Sequence, residues 1–212
     1  MAALVAGVVY FIGQGEGEDE KPAALSPTTA RELAQRVTLT PADWGPVFTQ
    51  GDPYEYDAML EQFTDHECRY VTQPVLKALT SLRRLTQQTG ESVIASSSLI
   101  VYETAGAAQA DVDRRRDDTS RCATVQDASS ERQWTGIGMV EVPALKGFDQ
   151  IVTEEGRETI SESGEKKDGY YSYFSGRKGQ FLMTAYVARD GTQEQNRERA
   201  AKALQLMLSR LP

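Results

Sequence analysis

The residues best suited to chemistry in this sequence form the run Asp65-His66-Glu67-Cys68. A carboxylate, an imidazole and a thiol could serve a cysteine nucleophile or a metal ion. A catalytic cysteine, however, works with a histidine that the fold brings in from elsewhere, and His66 is the only histidine among the 212 residues. We interpret the run as a surface loop that leads into a structural cysteine. A hydrolase that uses His66 with nearby carboxylates is the least favoured hypothesis.

The state of the two cysteines bears on the compartment of the protein. Cys68 and Cys122, 54 positions apart, could be two buried free thiols, as is common in the cytosol. They could also form one disulfide, which needs an oxidising compartment. By chain entropy alone, closing a loop of that length stabilises a fold by roughly 4 kcal/mol. The residue types leave both alternatives open.

Composition and motifs argue against several classes of function. The net charge is −8, and the one dense basic run, Arg114 to Arg116, is neutralised by adjacent aspartates, so we expect no nucleic-acid partner. The sequence contains no GxSxG, zinc or P-loop signature. The basic segment Ser175–Gly179 could hold an anion, but its glycines favour a β-turn. We therefore predict no enzyme activity, no cofactor and no metal.

The N-terminal 24 residues differ in composition from the rest of the chain. Residues 2–12 are uninterrupted apolar residues, whereas a bilayer span needs about 20. We interpret them as the remnant of a signal or membrane anchor, and hence as a possible membrane tether. The alternative is an N-terminal strand or buried arm. The acidic residues that follow are typical of a solvated linker, which leaves 25–212 as a single domain.

Two segments predict long helices that pack on a sheet. In the first, a strand through Tyr102 leads to a helix capped by Thr104, with its aspartates in solvent. Its inner face carries Ala108, Val112, Arg115, Thr119 and Cys122. In the second, Thr192–Gln195 is a capping box that opens the last helix. The apolar stripe of that helix is Ala200, Ala203, Leu204, Met207, Leu208 and Leu211.

The remaining elements are less sharply indicated. Helix-start signals stand at Ser26-Pro27, Thr40-Pro41 and Asp52-Pro53. The aromatic residues between 44 and 63 form either a cluster that covers one edge of the core or the lining of a ligand groove. Residues 75–89 suit a helix or one arm of a hairpin. The charged residues 154–168 predict a hairpin loop or a mobile excursion.

Four short pieces of the sequence resemble the extracellular sensor domain of PknH-like mycobacterial Ser/Thr kinases and its actinobacterial lipoprotein relatives. These pieces are HEC at 66–68, VYETAGAAQADVDRRRDDTSRC at 101–122, WTG at 134–136 and AAKALQLMLSRL at 200–211. The resemblance implies a disulfide between Cys68 and Cys122. Relatives often carry a second disulfide between their last two strands, and this sequence has no cysteines for it.

The same resemblance implies a fold and a function. The fold is α+β, a twisted antiparallel sheet of about six strands packed on one face by two long helices, with a helical and aromatic N-terminal segment. The implied function is that of a non-catalytic, extracytoplasmic sensor, membrane-anchored or secreted, that binds a small-molecule or cell-envelope ligand. Our ligand-binding candidates are Arg69, Trp134, Tyr171 and Tyr173. The alternative is a protein–protein interaction module of the cell envelope, for which Trp44 should be exposed.

Overall fold

The computed structural model describes residues 25–56, 59–88, 93–127, 129–162, 165–189 and 191–212. The apolar run at 2–12 and the acidic linker lie outside the described residues, so the membrane tether stays a prediction. No helix within the described ranges is both long and apolar enough to cross a membrane.

The described residues form ten strands in one continuous sheet. In chain order these are β1 (Phe48–Tyr56), β2 (Leu60–Thr64), β3 (Arg69–Pro74), β4 (Ala78–Gln88), β5 (Ile94–Tyr102), β6 (Thr124–Asp127), β7 (Arg132–Met139), β8 (Gln150–Glu162), β9 (Glu165–Lys178) and β10 (Phe181–Ala188). Across the sheet they follow the order β1-β4-β5-β10-β9-β8-β7-β6-β3-β2. Neighbouring strands are antiparallel except for the short parallel pair β3 and β6.

Four helices pack against this sheet in the part of the chain that the structure describes. They are α1 (Pro27–Val37), α2 (Pro41–Trp44), α3 (Ala105–Arg121) and α4 (Gln193–Ser209). Alternate side chains of β10 point to opposite faces and show how the helices are distributed. Met183 packs in one core cluster with Leu204 of α4, whereas Leu182 packs in another with Val112 of α3. We call these two sides the α1/α4 face and the α3 face.

The predicted fold class was wrong in three respects. The sheet has ten strands and not about six, it is mixed and not antiparallel, and its two long helices lie on opposite faces. The reason lies in the central strands. In β10, Leu182, Met183, Thr184 and Ala185 are all buried, so both faces of this strand must be covered.

The predicted helices that begin at a capped N-terminus were confirmed. Ser26 Oγ accepts a hydrogen bond from the backbone N–H of Thr29 at the start of α1, and Thr104 caps α3 in the same way. Thr192 and Gln195 form the predicted capping box of α4. The signal at Asp52-Pro53 was wrong, because these residues lie within β1, with a cis peptide bond between them.

Two further segments are strands. Residues 78–88 form β4, which pairs with β5, so the hairpin alternative for 75–89 is correct. The charged stretch 154–168 is not a loop, because β8 and β9 continue as paired strands to Glu162 and from Glu165. On this extension Arg157 pairs with Asp168 at the exposed surface. The charged residues of this stretch therefore divide between the exposed surface, as Arg157 and Asp168 do, and buried positions, as Glu155 and Glu158 do.

Candidate functional site

The α3 face buries hydroxyl groups at positions where a sheet usually buries aliphatic side chains. Ser96 and Ser98 of β5, Ser175 of β9 and Thr184 of β10 are all less than a tenth exposed. Ser98 Oγ and Thr184 Oγ1 share a hydrogen bond of 2.6 Å between neighbouring strands. The centre of this face is therefore polar, although it lies in the middle of the sheet.

Arg115 of α3 connects this polar centre to β2. Its guanidinium donates to Asp111 Oδ2 at 3.1 Å, to Glu61 Oε2 at 2.6 Å and to the hydroxyl of Tyr173. The hydroxyl of Tyr102 donates to the same Asp111 oxygen at 2.8 Å. Asp111 is buried, so its predicted place in solvent was wrong. The sheet thus curves around α3, with β2 at its far end joined to the helix by an ion pair.

These ion pairs fix the protonation states of both partners. Burial alone would raise the pKa of Asp111, but Arg115, Arg114 and the hydrogen bonds it accepts lower that pKa to about 2. Burial alone would likewise lower the pKa of Arg115, but the carboxylates of Asp111 and Glu61 raise it well above its usual value. Both groups are charged at neutral pH and compensate each other.

Five aromatic side chains form a cluster beside Arg115. Tyr70 packs edge-on against Trp134 with ring centroids 4.7 Å apart, and Tyr186 lies 6.0 Å from Tyr171 and 6.3 Å from Tyr173. Burial raises the pKa of all four tyrosines. Their hydroxyls are therefore neutral and can both donate and accept hydrogen bonds.

Glu154 of β8 links this cluster to α3. Its carboxylate accepts hydrogen bonds from Thr119 Oγ1 at 2.7 Å and from the hydroxyl of Tyr171 at 2.8 Å. Burial has the largest effect on the pKa of Glu154 and raises it, although these two hydrogen bonds act in the opposite direction. The buried carboxyl holds the tyrosine ring and the helix in a fixed relation.

A disulfide between Cys68 and Cys122 closes one end of the cluster, with the two Cα atoms 5.6 Å apart. The pairing that the family resemblance implied is therefore present. Arg121 of α3 adds hydrogen bonds to the backbone oxygens of Asp65 and His66, at 3.0 and 3.3 Å. The loop 65–68 is thus fastened to the end of α3, as expected for a structural loop.

The arginine and tyrosine side chains border a polar part of the α3 face, on the side toward β4. The helix α3 packs against β5 and β7 to β10, and Arg83 on β4 is exposed. Tyr173 and Tyr186 are partly exposed between them. We call this region the recess; its lining residues are Glu61, Arg83, Ser96, Ser98, Arg115, Tyr173 and Tyr186. Neutral hydroxyls, aromatic rings and two arginines suit it to hydrogen-bond a polar molecule.

The structure separates the predicted ligand-binding residues into two places. Trp134, Tyr171 and Tyr173 meet in the aromatic cluster, but Trp134 and Tyr171 are buried within it. Tyr173 alone reaches the recess. Arg69 lies apart on the surface, where it pairs with Asp65 at 2.8 Å and Glu67 at 2.7 Å. Whether any of them binds a ligand stays a prediction.

Sequence reasoning did not identify Arg83, Ser96, Ser98 or Tyr186 as site residues. A usable signal was present in β5, where three serines interrupt an apolar strand with the sequence IASSSLIVY. A serine in a buried strand must find a hydrogen-bond partner, and this makes it conspicuous. No comparable signal marks Arg83, because its position follows from strand pairing alone.

The aromatic segment between residues 44 and 63 divides between packing and surface contacts. Trp44 is 6% exposed and lies in the α1/α4 core with Phe48, 6.3 Å away. Phe63 lies under the guanidinium of Arg114 at 4.0 Å, on the α3 side. Neither alternative describes the whole segment, since Trp44 and Phe48 belong to the core whereas Phe63 belongs to the edge of β2.

Among the described residues, no group of three or more His, Cys, Asp and Glu side chains is placed to hold a metal ion. His66 is exposed in its loop, and its backbone oxygen, not its ring, contacts Arg121.

No protein-family model matches the sequence, and no curated protein matches it either. Among solved structures, the chain is similar to the extracellular domain of PknH from Mycobacterium tuberculosis, with a TM-score of 0.60 and 16% sequence identity. The similarity covers 85% of this chain and 97% of that domain. At this identity the similarity concerns the fold alone. The chain therefore has the fold of the PknH extracellular domain.

Proposed function

We propose that this chain is a non-catalytic, extracytoplasmic sensor domain that binds a small polar ligand in the recess. The observation that carries this proposal is the row of buried hydroxyls on the α3 face, Ser96, Ser98, Ser175 and Thr184. A buried hydroxyl costs free energy unless it is hydrogen-bonded, whereas an aliphatic side chain of similar size would stabilise the sheet. We take the concentration of four hydroxyls at the centre of the α3 face as the support for ligand recognition there.

Two observations support the extracytoplasmic location. The Cys68–Cys122 disulfide is typical of oxidising compartments, and the chain shares its fold with a domain described as extracellular. Anchoring through residues 2–12 is part of the same proposal. We propose no particular partner subunit or oligomeric state.

The absence of catalysis is supported by the surroundings of the hydroxyl groups. The hydrogen-bond partner of Ser98 is another hydroxyl, that of Thr184, and not a general base. Asp111 and Glu61, the carboxylates nearest to Arg115, are engaged in ion pairs with it. These side chains can position a ligand by hydrogen bonding, but the described recess offers no activated nucleophile.

The alternative, a protein–protein interaction module that uses the 44–63 segment, is less well supported. Its central aromatic residue, Trp44, is buried against α4 and is not exposed for a partner. Exposed large apolar side chains in this part of the chain are Val47, Tyr56 and Leu60, which are about half exposed. Single exposed apolar residues are normal on a monomeric protein.

The test is an NMR chemical-shift titration of the full chain with the small-molecule fraction of a bacterial cell-envelope hydrolysate. Binding in the recess predicts shift changes at Ser96, Ser98 and Thr184. The variant Tyr173→Phe should weaken binding, because it removes a hydroxyl in the recess and keeps the ring. Tyr170→Phe is the matched control, since Tyr170 precedes it on β9 by three positions and contacts Arg157 outside the recess. Shift changes confined to other surfaces would contradict the proposal.

A further inference from the structure

Two adjacent arginines on β4 point to opposite faces of the sheet and have opposite environments. Arg84, on the α1/α4 face, is buried and pairs with Glu55 at 2.9 Å. It also donates to the backbone oxygens of Thr38 at 2.7 Å and Gln35 at 3.1 Å. These contacts account for most of its donors, so Arg84 is a structural residue.

Arg83, on the α3 face, has none of these contacts. Its side chain is exposed, and no carboxylate of the described residues lies within 4 Å of its guanidinium. Strand pairing places it directly opposite Ser98, which in turn is paired with Thr184. Arg83 therefore stands at the open edge of the hydroxyl row, with its five donors available to a ligand.

Arg115, the other arginine of the recess, differs from Arg83 in its ion pairs. The charge of Arg115 is compensated by Asp111 and Glu61, and its donors are largely used. Arg83 is the cation of the recess whose charge the described neighbours leave uncompensated. Its field also reaches Tyr173, where it partly opposes the effect of burial on the pKa of that tyrosine. Strand pairing puts Arg83 beside Ser98 of β5 and Tyr173 beside Tyr186 of β10, so the two side chains lie on the same face of the sheet.

We propose that Arg83 recognises an anionic oxygen group, a carboxylate or a phosphate, on the ligand of the recess. A guanidinium can donate two parallel hydrogen bonds to either group. The hydroxyls of Ser98 and Tyr173 then bind the uncharged part of the same ligand. This inference rests on the proposed function and adds the chemical class of the ligand.

The first experiment measures the Kd of inorganic phosphate by NMR titration of the full chain at neutral pH and low ionic strength. The variant Arg83→Gln should raise this Kd about tenfold, which corresponds to about 1.4 kcal/mol. Arg83→Lys should have an intermediate effect, because lysine keeps the positive charge but cannot donate the two parallel hydrogen bonds of a guanidinium. The matched control is Arg36→Gln, which removes the same charge from an exposed position at the end of α1, on the other face.

Equal effects of Arg83→Gln and Arg36→Gln would overturn the inference, because phosphate would then respond only to net charge. Phosphate shifts outside the recess would also overturn it and would indicate an adventitious ion only. Circular dichroism should show both variants folded, since the two side chains are exposed.

A pair of sugars separates this inference from the proposed function. N-Acetylmuramic acid is N-acetylglucosamine with a lactyl ether on O3, which adds a carboxylate and replaces one hydroxyl. Stronger recess shifts with the acid, lost in Arg83→Gln, support the inference. Equal binding of both sugars in the recess, unchanged by Arg83→Gln, would refute the anionic class and leave the ligand-binding proposal standing.

Discussion

The two faces of the sheet bury different kinds of side chain. On the α1/α4 face, Leu82, Leu99 and Met183 are fully buried against Leu204 and other apolar residues of α1 and α4. On the α3 face, the same central strands bury hydroxyls, tyrosines and an ion-pair network. A single strand supplies both faces: β5 directs Leu99 to the α1/α4 face and Ser96 and Ser98 to the α3 face, although Ser97 also lies on the α1/α4 face. Stability and recognition are thus separated by the alternation of side chains.

The α3 face is itself divided along the strands. Near the start of α3, Ile100 and Leu182 pack against Ala108 and Val112 in an apolar cluster. Polar residues replace them toward the disulfide end. The apolar part anchors the helix, and the polar part is left to line the recess.

The disulfide should have the largest effect on stability, because it fastens β3 to the end of α3. Replacing Cys68 and Cys122 together by alanine should lower the free energy of unfolding by roughly 4 kcal/mol, mainly through the entropy of the unfolded chain. Urea unfolding monitored by circular dichroism measures this change. Reduction of the unmodified protein should give a similar loss, and a loss below about 1 kcal/mol would show that α3 stays in place without the bond.

Removing an aliphatic side chain from the α1/α4 face should cost nearly as much. Leu204→Ala should destabilise the protein by about 3 kcal/mol, because Leu204 is fully buried and the surrounding residues can collapse only in part. Lys202→Ala on the exposed side of the same helix is the control and should change stability by less than about 0.5 kcal/mol. Equal losses of stability in the two variants would contradict the role of the α1/α4 face as the apolar core.

The ion-pair network of the α3 face should contribute less, and its contribution should depend on pH. Asp111→Asn should destabilise the protein by about 2 kcal/mol at neutral pH, because it leaves the buried Arg115 with Glu61 alone. The folded-state pKa of Asp111 is lowered to about 2, so its stabilisation is complete above the ordinary carboxyl pKa. It is lost as the pH falls from about 4 to about 2.

Urea unfolding at a series of pH values tests this dependence, and the difference between the parent protein and Asp111→Asn should shrink in that acid range. Asp113→Asn is the matched control on the same helix. Asp113 forms a half-exposed pair with Arg116, so its replacement should cost less than about 1 kcal/mol. A constant penalty for Asp111→Asn down to the lowest pH would contradict the assigned charge state.

The smallest stability effect should come from the hydroxyl row. The double variant Ser98→Ala with Thr184→Val removes both partners of one hydrogen bond and should change the free energy of unfolding by less than about 1 kcal/mol. The same variant should weaken binding of any ligand that occupies the recess. A large loss of stability would instead indicate that these hydroxyls serve packing and not recognition.

The sequence predicts the helices well because their signals are local. Thr104 caps α3, and the spacing of Ala108, Val112, Arg115 and Thr119 indicates the buried side correctly. Local spacing does not reveal that Asp111 is also buried. That burial depends on Tyr102 and Arg115, which reach it from a strand and from the next turn of the helix.

The sheet and the recess are harder to predict because their contacts are distant in sequence. Residues 52–56 look like a helix start, yet pairing with β4 makes them part of a strand. The recess brings Glu61, Arg83, Arg115 and Tyr173 together from four separate elements. Of the four ligand candidates predicted from sequence, only Tyr173 reaches it, since strand alternation and the curvature of the sheet decide which residues meet.

The first measurement we would make is the mass of the peptide that contains Cys68 and Cys122, from protein isolated from its natural cells and digested without reduction. An extracytoplasmic sensor domain predicts one disulfide-linked peptide pair. Two free thiols would contradict that location, and with it the proposal that the recess meets ligands outside the cytoplasm.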